Sequence, residues 1–470
     1  IGSYPSEIQV KSGDLTMTAD TGSIDAGGYI YIDDGGAALS AGQGIYLGGL
    51  TLESYGTEGA ITVTAMGGDL TSSYGSIRNY GSGGIALSAS GGITIDSGYV
   101  ESIEAATLSA VGDIEIASGS LLGTAIDISS DGSLKTSGAA VISGDTLTTS
   151  SVTGVDIKTA VETLSFSNTG TGDVLVDNTG GMTVTGSNLG GFVDLMTHSP
   201  LTVGVSGVSS LGDISLTAAG EAGAEDDNLT ILGSVTSTSG NITQFADDNI
   251  DQQADVIASG GDVTATTENG SITMSSGVIT SADGSINFDS AGSITASGDY
   301  IRSNNGSLTL TAESGDIAVS GDIVAAGTGT FAAAGDVTLS GGVATGALGS
   351  FVDVLESSGL SGDLTVTSES GDITSIGNYG ITVYSGDLTL TAETGGITAG
   401  AYIESYNGSL TLNAESGDIA VSSGIYGSEG VMLNASGGIT AGAYIQSYYG
   451  SITPVSYTHL RAHETRHDLV

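Results

Sequence analysis

The sequence predicts an all-β fold, a right-handed parallel β-helix, and three observations lead to it. The 470 residues include 78 Gly, 3 Pro, no Cys and no Trp, and 5 % are aromatic, yet 39 % are hydrophobic. So few rings cannot fill several compact cores, and the chain is too apolar to stay disordered. The second observation is a repeat. GSLTLTAESGDI begins at Gly306, GDLTVTSESGDI at Gly362, GDLTLTAETGGI at Gly386 and GSLTLNAESGDI at Gly408. A further copy, GDLTMTADTGSI, begins at Gly13, and weaker ones begin at Gly59, Gly83, Gly261 and Gly284. Starts at Gly386, Gly408 and Gly430 are spaced by 22 residues. The third observation is the absence of helical spacing, because hydrophobic residues alternate with a period of two.

One unit shows why each element forms. In Gly408–Glu429 the first run, Leu410-Thr411-Leu412-Asn413, alternates apolar and polar residues and reads as a strand. A Glu-Ser-Gly turn leads to the second, Asp418 to Val421, and a Ser-Ser-Gly turn to the third, Gly424 to Tyr426. Alternation sends Leu410, Leu412, Ile419, Val421 and Ile425 inward and Thr411 and Ala420 outward. Three strands and three turns close one coil of about 20–24 residues. The recurrent Gly residues are expected where the chain turns sharply, often with positive φ. About twenty coils stacked at ~4.8 Å would make a rod on the order of 100 Å.

Residues 1–453 read as a single solenoid, with irregular coils around 149–255. There VETLSFSNTGTGDVLVDNTGGMTV (Val161–Val184) carries longer strands, and EAGAEDDN (Glu221–Asn228) reads as a loop leaving the coil. Ile1 is not an initiator Met and no signal peptide precedes it, so the chain reads as an internal fragment.

Net charge is −46, from 53 acids and 7 bases. Such a chain repels nucleic acid and anionic lipid, and no apolar run approaches the roughly 18 residues of a membrane span. Without Cys there is no disulfide stapling, so the ladder and core must hold the fold.

The repeated G-[SD]-[LI]-T-[LV]-T-A-x-[ST]-G-[DG]-I unit resembles the repeats of filamentous-haemagglutinin-like adhesins and giant β-helical bacterial surface proteins. The resemblance covers residues 1–453. It implies an extracellular or cell-surface location, a structural or adhesive role, and glycans, host or neighbouring-cell surfaces, or matrix as partners. That family's secretion domain with its NPNG-type motif has no counterpart in this sequence.

The alternative is a β-helical polysaccharide lyase or hydrolase, which needs a base or cation beside clustered acids. The cations before the tail, Lys11, Arg78, Lys135, Lys158 and Arg302, are scattered, and His198 sits in a loop sequence, LMTHSPL. Acid pairs such as Asp226-Asp227 and Asp247-Asp248 are expected by chance among 53 acids. The chain is therefore read as non-catalytic, with no cofactor. Calcium is the one ligand the sequence motivates: Glu393 and Glu415 fall at equivalent places in neighbouring coils, where like charges repel and a hard divalent cation would relieve them. The bland alternative is that both side chains splay into water.

Tyr384, Tyr406 and Tyr448 form the candidate binding feature. They precede the coil-opening Gly in YSG, YNG and YYG, which places them at one corner, with Ser428 interrupting the series. Rings at a corner can stack on sugars or simply cover the turn. The last residues differ in kind. VSYTHLRAHET (Val455–Thr465) resembles the conceptual translation of a transposase-type sequencing-library adapter, so 454–470 read as a non-native tail that packs on nothing. The competing reading is a metal-binding tail, since His459, His463 and His467 are spaced by four.

Overall fold

The computed structural model describes residues 7–220, 226–345, 362–376, 380–456 and 460–462. They belong to two compact units, Ile1–Glu225 and Asp226–Val470. The described residues hold parallel strands and no helix, wound as about 19 turns of β-solenoid.

In the second unit one coil consists of Leu388–Ala392, Ile397–Ala399 and Ile403–Ser405. The next consists of Ser409–Ala414, Ile419–Val421 and Ile425–Gly427, each strand lying parallel on its predecessor. Leu388 faces Leu410, Ile397 faces Ile419, and Ile403 faces Ile425. Like therefore stacks on like, and the interior becomes columns of aliphatic side chains. Leu410, Leu412, Ile419, Val421 and Ile425 are all buried, whereas Thr411 and Ala420 are half-exposed, as the alternation predicts. Each buried Leu or Ile contributes roughly 1.5–3 kcal/mol of transfer free energy, so a chain with few rings builds its core by repetition.

The first unit follows the same plan. Ile61–Ala65, Ile85–Ala89 and Ala105–Ala110 stack in parallel register on one face. On other faces strands fuse round a corner: Val141–Ser151 and Val155–Asn168 pair along much of their length, and Ile24–Ile32 pairs with Ile45–Ser54 across a register shift after Ala26. Buried amides lie on the fused strand Val155–Asn168 and on the strands that pair with it, Val174–Asn178 and Met182–Asn188. Asn168 donates to Asn188 at 2.8 Å, and Asn178 accepts from Thr159 at 2.8 Å. The loop expected at Glu221–Asn228 lies outside the described residues except for its end, where Asp227 is buried and its N–H donates to Asp248 at 3.0 Å.

Two corner devices explain the composition. At many G-D steps the Asp accepts a backbone N–H from the following coil: Asp14 from Gly36 at 2.8 Å, Asp113 from Ser133 at 2.7 Å, Asp262 from Ser285 at 2.6 Å, and Asp387 from Ser409 at 2.7 Å. Donors at a turn have no strand partner of their own, and a carboxylate gives them a charge-assisted one. At Asp113 this bond, joined by the Ser133 hydroxyl, lowers the carboxyl pKa below its ordinary value. Much of the acidity is thus structural. The coil-opening Gly residues answer to close packing more than to positive φ. A Cβ on Gly408 would lie 2.0 Å from the Gly386 carbonyl oxygen of the coil below, and Gly408 has no positive φ.

The chain after Thr453 departs from expectation. Ile452–Ser456 pairs with Gly430–Ala435, placing Pro454 opposite Leu433, and Leu460–Ala462 pairs with Ile439–Ala441. Residues 454–456 and 460–462 thus continue the ladder rather than packing on nothing. The register sets Ile452 opposite Val431 and Leu460 opposite Ile439, whereas Val455 falls opposite the outward Asn434 and is exposed, so the ladder continues through the backbone without the inward alternation of the coil below. His459, His463 and His467 lie outside the described residues.

Candidate functional site

The tyrosines predicted to share a corner do share one, and the column is longer than the sequence suggests. Tyr384 and Tyr406 stack with ring centroids 5.7 Å apart and planes 24° apart. Ser428 occupies the equivalent place in the next coil and is buried, its N–H bonded to Ser405. The gap is filled by Tyr426, which stands in register with Glu404 and Gln446. Its ring lies 5.8 Å from Tyr406 and 6.0 Å from Tyr448, and Tyr448 meets Tyr449 at 6.1 Å. The faces of Tyr384 and Tyr406 are spent largely on each other. Tyr448 and Tyr449 are the open end, 68 % and 88 % exposed.

Glu404 organises this corner. Its carboxylate accepts from the Tyr406 hydroxyl at 2.8 Å and from the Tyr444 hydroxyl at 3.2 Å. Burial, followed by the bond to Glu404, raises the Tyr406 pKa, and Tyr444 is raised by burial and by the Glu404 charge. Small residues make room for the flanking rings: a Cβ on Gly424 would fall 2.3 Å from Tyr444, and one on Gly380 would strike Tyr402.

The first unit contains a corner built on the same phrase, Leu52-Glu53-Ser54-Tyr55-Gly56 against Ile403-Glu404-Ser405-Tyr406. Ser54 and Ser405 each donate inward to a carbonyl of the coil below, Gly35 and Gly386, at 2.8 Å. Tyr55 donates to Glu53 at 2.8 Å and stacks on Tyr80 at 4.9 Å and 16°. The bond to Glu53, aided by burial, pushes the Tyr55 pKa up to about 12. Arg78, in register between Glu53 and Glu101, ion-pairs with both at 3.2 Å and lies over the Tyr99 ring. Burial alone would lower the Arg78 pKa, but the two acids and Tyr80 outweigh it and raise it. Sequence reading counted Arg78 among scattered bases; the signal it passed over is the coil-to-coil spacing that puts Glu53, Arg78 and Glu101 in one column.

The other candidates stand apart from these corners. Glu393 and Glu415 follow facing residues, Ala392 and Ala414, and both are exposed, with Asn413 donating to Glu415 at 3.3 Å. His198 lies just past Val193–Thr197, exposed, with Nε2 3.0 Å from Asp177. A shallow groove of about 340 Å³ on the first unit is bounded by Met66, Val111 and Asp131; Asp131 is its single carboxylate and no base lines it.

Fold and corners together define a class, the parallel β-solenoid repeat proteins. No family model, curated protein or solved structure matches the chain, so its functional reading rests on these geometries.

Proposed function

We propose that the chain is a non-catalytic, structural and adhesive stretch of a secreted or cell-surface β-helical protein of the filamentous-haemagglutinin-like kind. The observation that carries this reading is repetition. Outward positions of successive coils repeat small polar side chains in register, Thr389 on Thr411 and Asn413 on Asn434, which suits many weak contacts along a surface. Within the tyrosine column, Tyr448 and Tyr449 are the rings best presented to a glycan face.

The test uses the full chain coupled to beads at increasing density over immobilised glycans and cell surfaces. Binding should be weak for single chains and rise about a hundredfold or more with clustering. Tyr448→Ala should reduce it more than Tyr406→Ala, whose ring faces are engaged within the column. Turnover of a pectin- or alginate-like polymer, abolished by one acid-to-amide change, would replace the adhesive reading with the lyase or hydrolase alternative.

A further inference from the structure

We propose that the stacked tyrosine pairs are sites of oxidative cross-linking, in which a dityrosine bond joins neighbouring coils, first at Tyr55–Tyr80 and second at Tyr384–Tyr406. This inference is independent of the adhesive reading.

Three observations on the same side chains carry it. The pairs bring two phenols face to face, with centroids 4.9 Å apart and planes 16° apart at Tyr55–Tyr80, and 5.7 Å and 24° at Tyr384–Tyr406. An oxidised phenol holds its unpaired electron in π orbitals perpendicular to the ring, with density on the carbons ortho to oxygen. Two radicals therefore couple through their faces, the approach that stacking supplies. In each pair, one hydroxyl already donates to a carboxylate at 2.8 Å, Tyr55 to Glu53 and Tyr406 to Glu404. Loss of an electron makes the phenol strongly acidic, and a carboxylate within hydrogen-bond reach takes the proton without waiting for solvent. The pairs are also reachable, since Tyr55 and Tyr80 are 49 % and 37 % exposed. The raised pKa of Tyr55 leaves little phenolate at neutral pH, so the proton must leave with the electron, which is the step the carboxylate serves.

The balance is simple. The oxidant is a ferryl haem of the peroxidase class, renewed by hydrogen peroxide, which is reduced to water as it accepts one electron and one proton from each of two tyrosines. The radicals form one carbon–carbon bond between ortho carbons. The hydrogen on each of those carbons then shifts to its oxygen and restores both aromatic rings, so the protein has lost a pair of hydrogen atoms. Such a bond would staple coils in a chain that has no cysteine to do so.

The experiment treats the dilute full-length chain with a haem peroxidase and hydrogen peroxide, then maps links by mass spectrometry and dityrosine fluorescence. The expected product is monomeric protein with a Tyr55–Tyr80 link, a raised denaturant midpoint, and a slower Tyr384–Tyr406 link. Tyr80→Phe keeps a ring in the stack, so it should abolish the first link and leave the unoxidised melting profile unchanged. Glu53→Gln should lower the yield at Tyr55–Tyr80 by about tenfold and leave Tyr384–Tyr406 untouched. Links that form chiefly between molecules at the most exposed rings, Tyr74 and Tyr449, would overturn the proposal. So would a Tyr55–Tyr80 yield indifferent to Glu53→Gln, or no protein dityrosine while a tyrosine peptide in the same mixture is oxidised.

Discussion

Glu53 and Glu404 stand at the same place in the same phrase, one in each unit, yet each carboxylate is satisfied differently. Glu53 is buried and meets one phenol and the Arg78 guanidinium. Glu404 is half-exposed and meets two phenols and, among the described residues, no cation. The cause lies one coil further along. Register puts Arg78 beside Glu53 and Tyr426 beside Glu404, so a single outward residue decides whether a corner is an ion-pair column or an aromatic one. A repeat fixes where a side chain stands, and its neighbour in the next coil fixes what it does.

The comparison breaks first, and most heavily, if the two corners do not rest on the same core. Leu52 and Ile403 are both fully buried beneath them. Leu52→Asp and Ile403→Asp should each cost about 4 kcal/mol or more by burying an unpaired charge, read from the denaturant midpoint of each unit; tolerance of either change would separate the corners. Next comes the ion pair. Arg78→Met keeps the stem but strands Glu53, whose side chain is 10 % exposed beside an Arg78 that is 30 % exposed. Partial screening reduces the penalty of a broken buried pair to about 2 kcal/mol. The second corner has no equivalent change. There the test is Tyr444→Phe, which removes one of two hydroxyl donors to Glu404 and should cost about 1 kcal/mol.

The smallest effect is one of pH. The Tyr55 pKa is raised to about 12 in the fold, against about 10 in an unfolded chain. The unfolded state therefore loses this proton first. The stability it provides is complete below about pH 10 and is lost as pH rises from there towards 12. Tyr406 is raised as well, so its window opens at the same pH. Absorbance titration should show late-ionising phenols, and Glu53→Gln should bring the Tyr55 midpoint back towards 10 without moving that of Tyr406.

How far the sequence spoke can be judged residue by residue. The inward set of Leu410, Leu412, Ile419, Val421 and Ile425 was legible because period-two alternation and a 22-residue repeat depend only on the strand itself. The place of Tyr384, Tyr406 and Tyr448 was legible for the same reason. Tyr426 was not, because it reaches its neighbours from a position two residues before theirs, and only ring size lets it bridge Ser428. The Asp387–Ser409 bond and its kin were hidden because an acid at a turn looks like solubilising charge until the donor of the next coil is seen above it. Pairing beyond Thr453 was missed because composition and alternation both change there, whereas the ladder needs only backbone in register.

The most direct test of the stacked-coil account uses the absence of cysteine. Thr389 and Thr411 face each other outward on adjacent coils, where parallel strands lie about 4.8 Å apart, within the roughly 4.4–6.8 Å Cα separation a disulfide spans. Thr389→Cys with Thr411→Cys should oxidise readily to an intramolecular disulfide in the folded chain. Thr389→Cys with Ala420→Cys, which puts the partner on another strand of the coil, should not. A disulfide in the second pair and none in the first would contradict the register and the parallel stack with it.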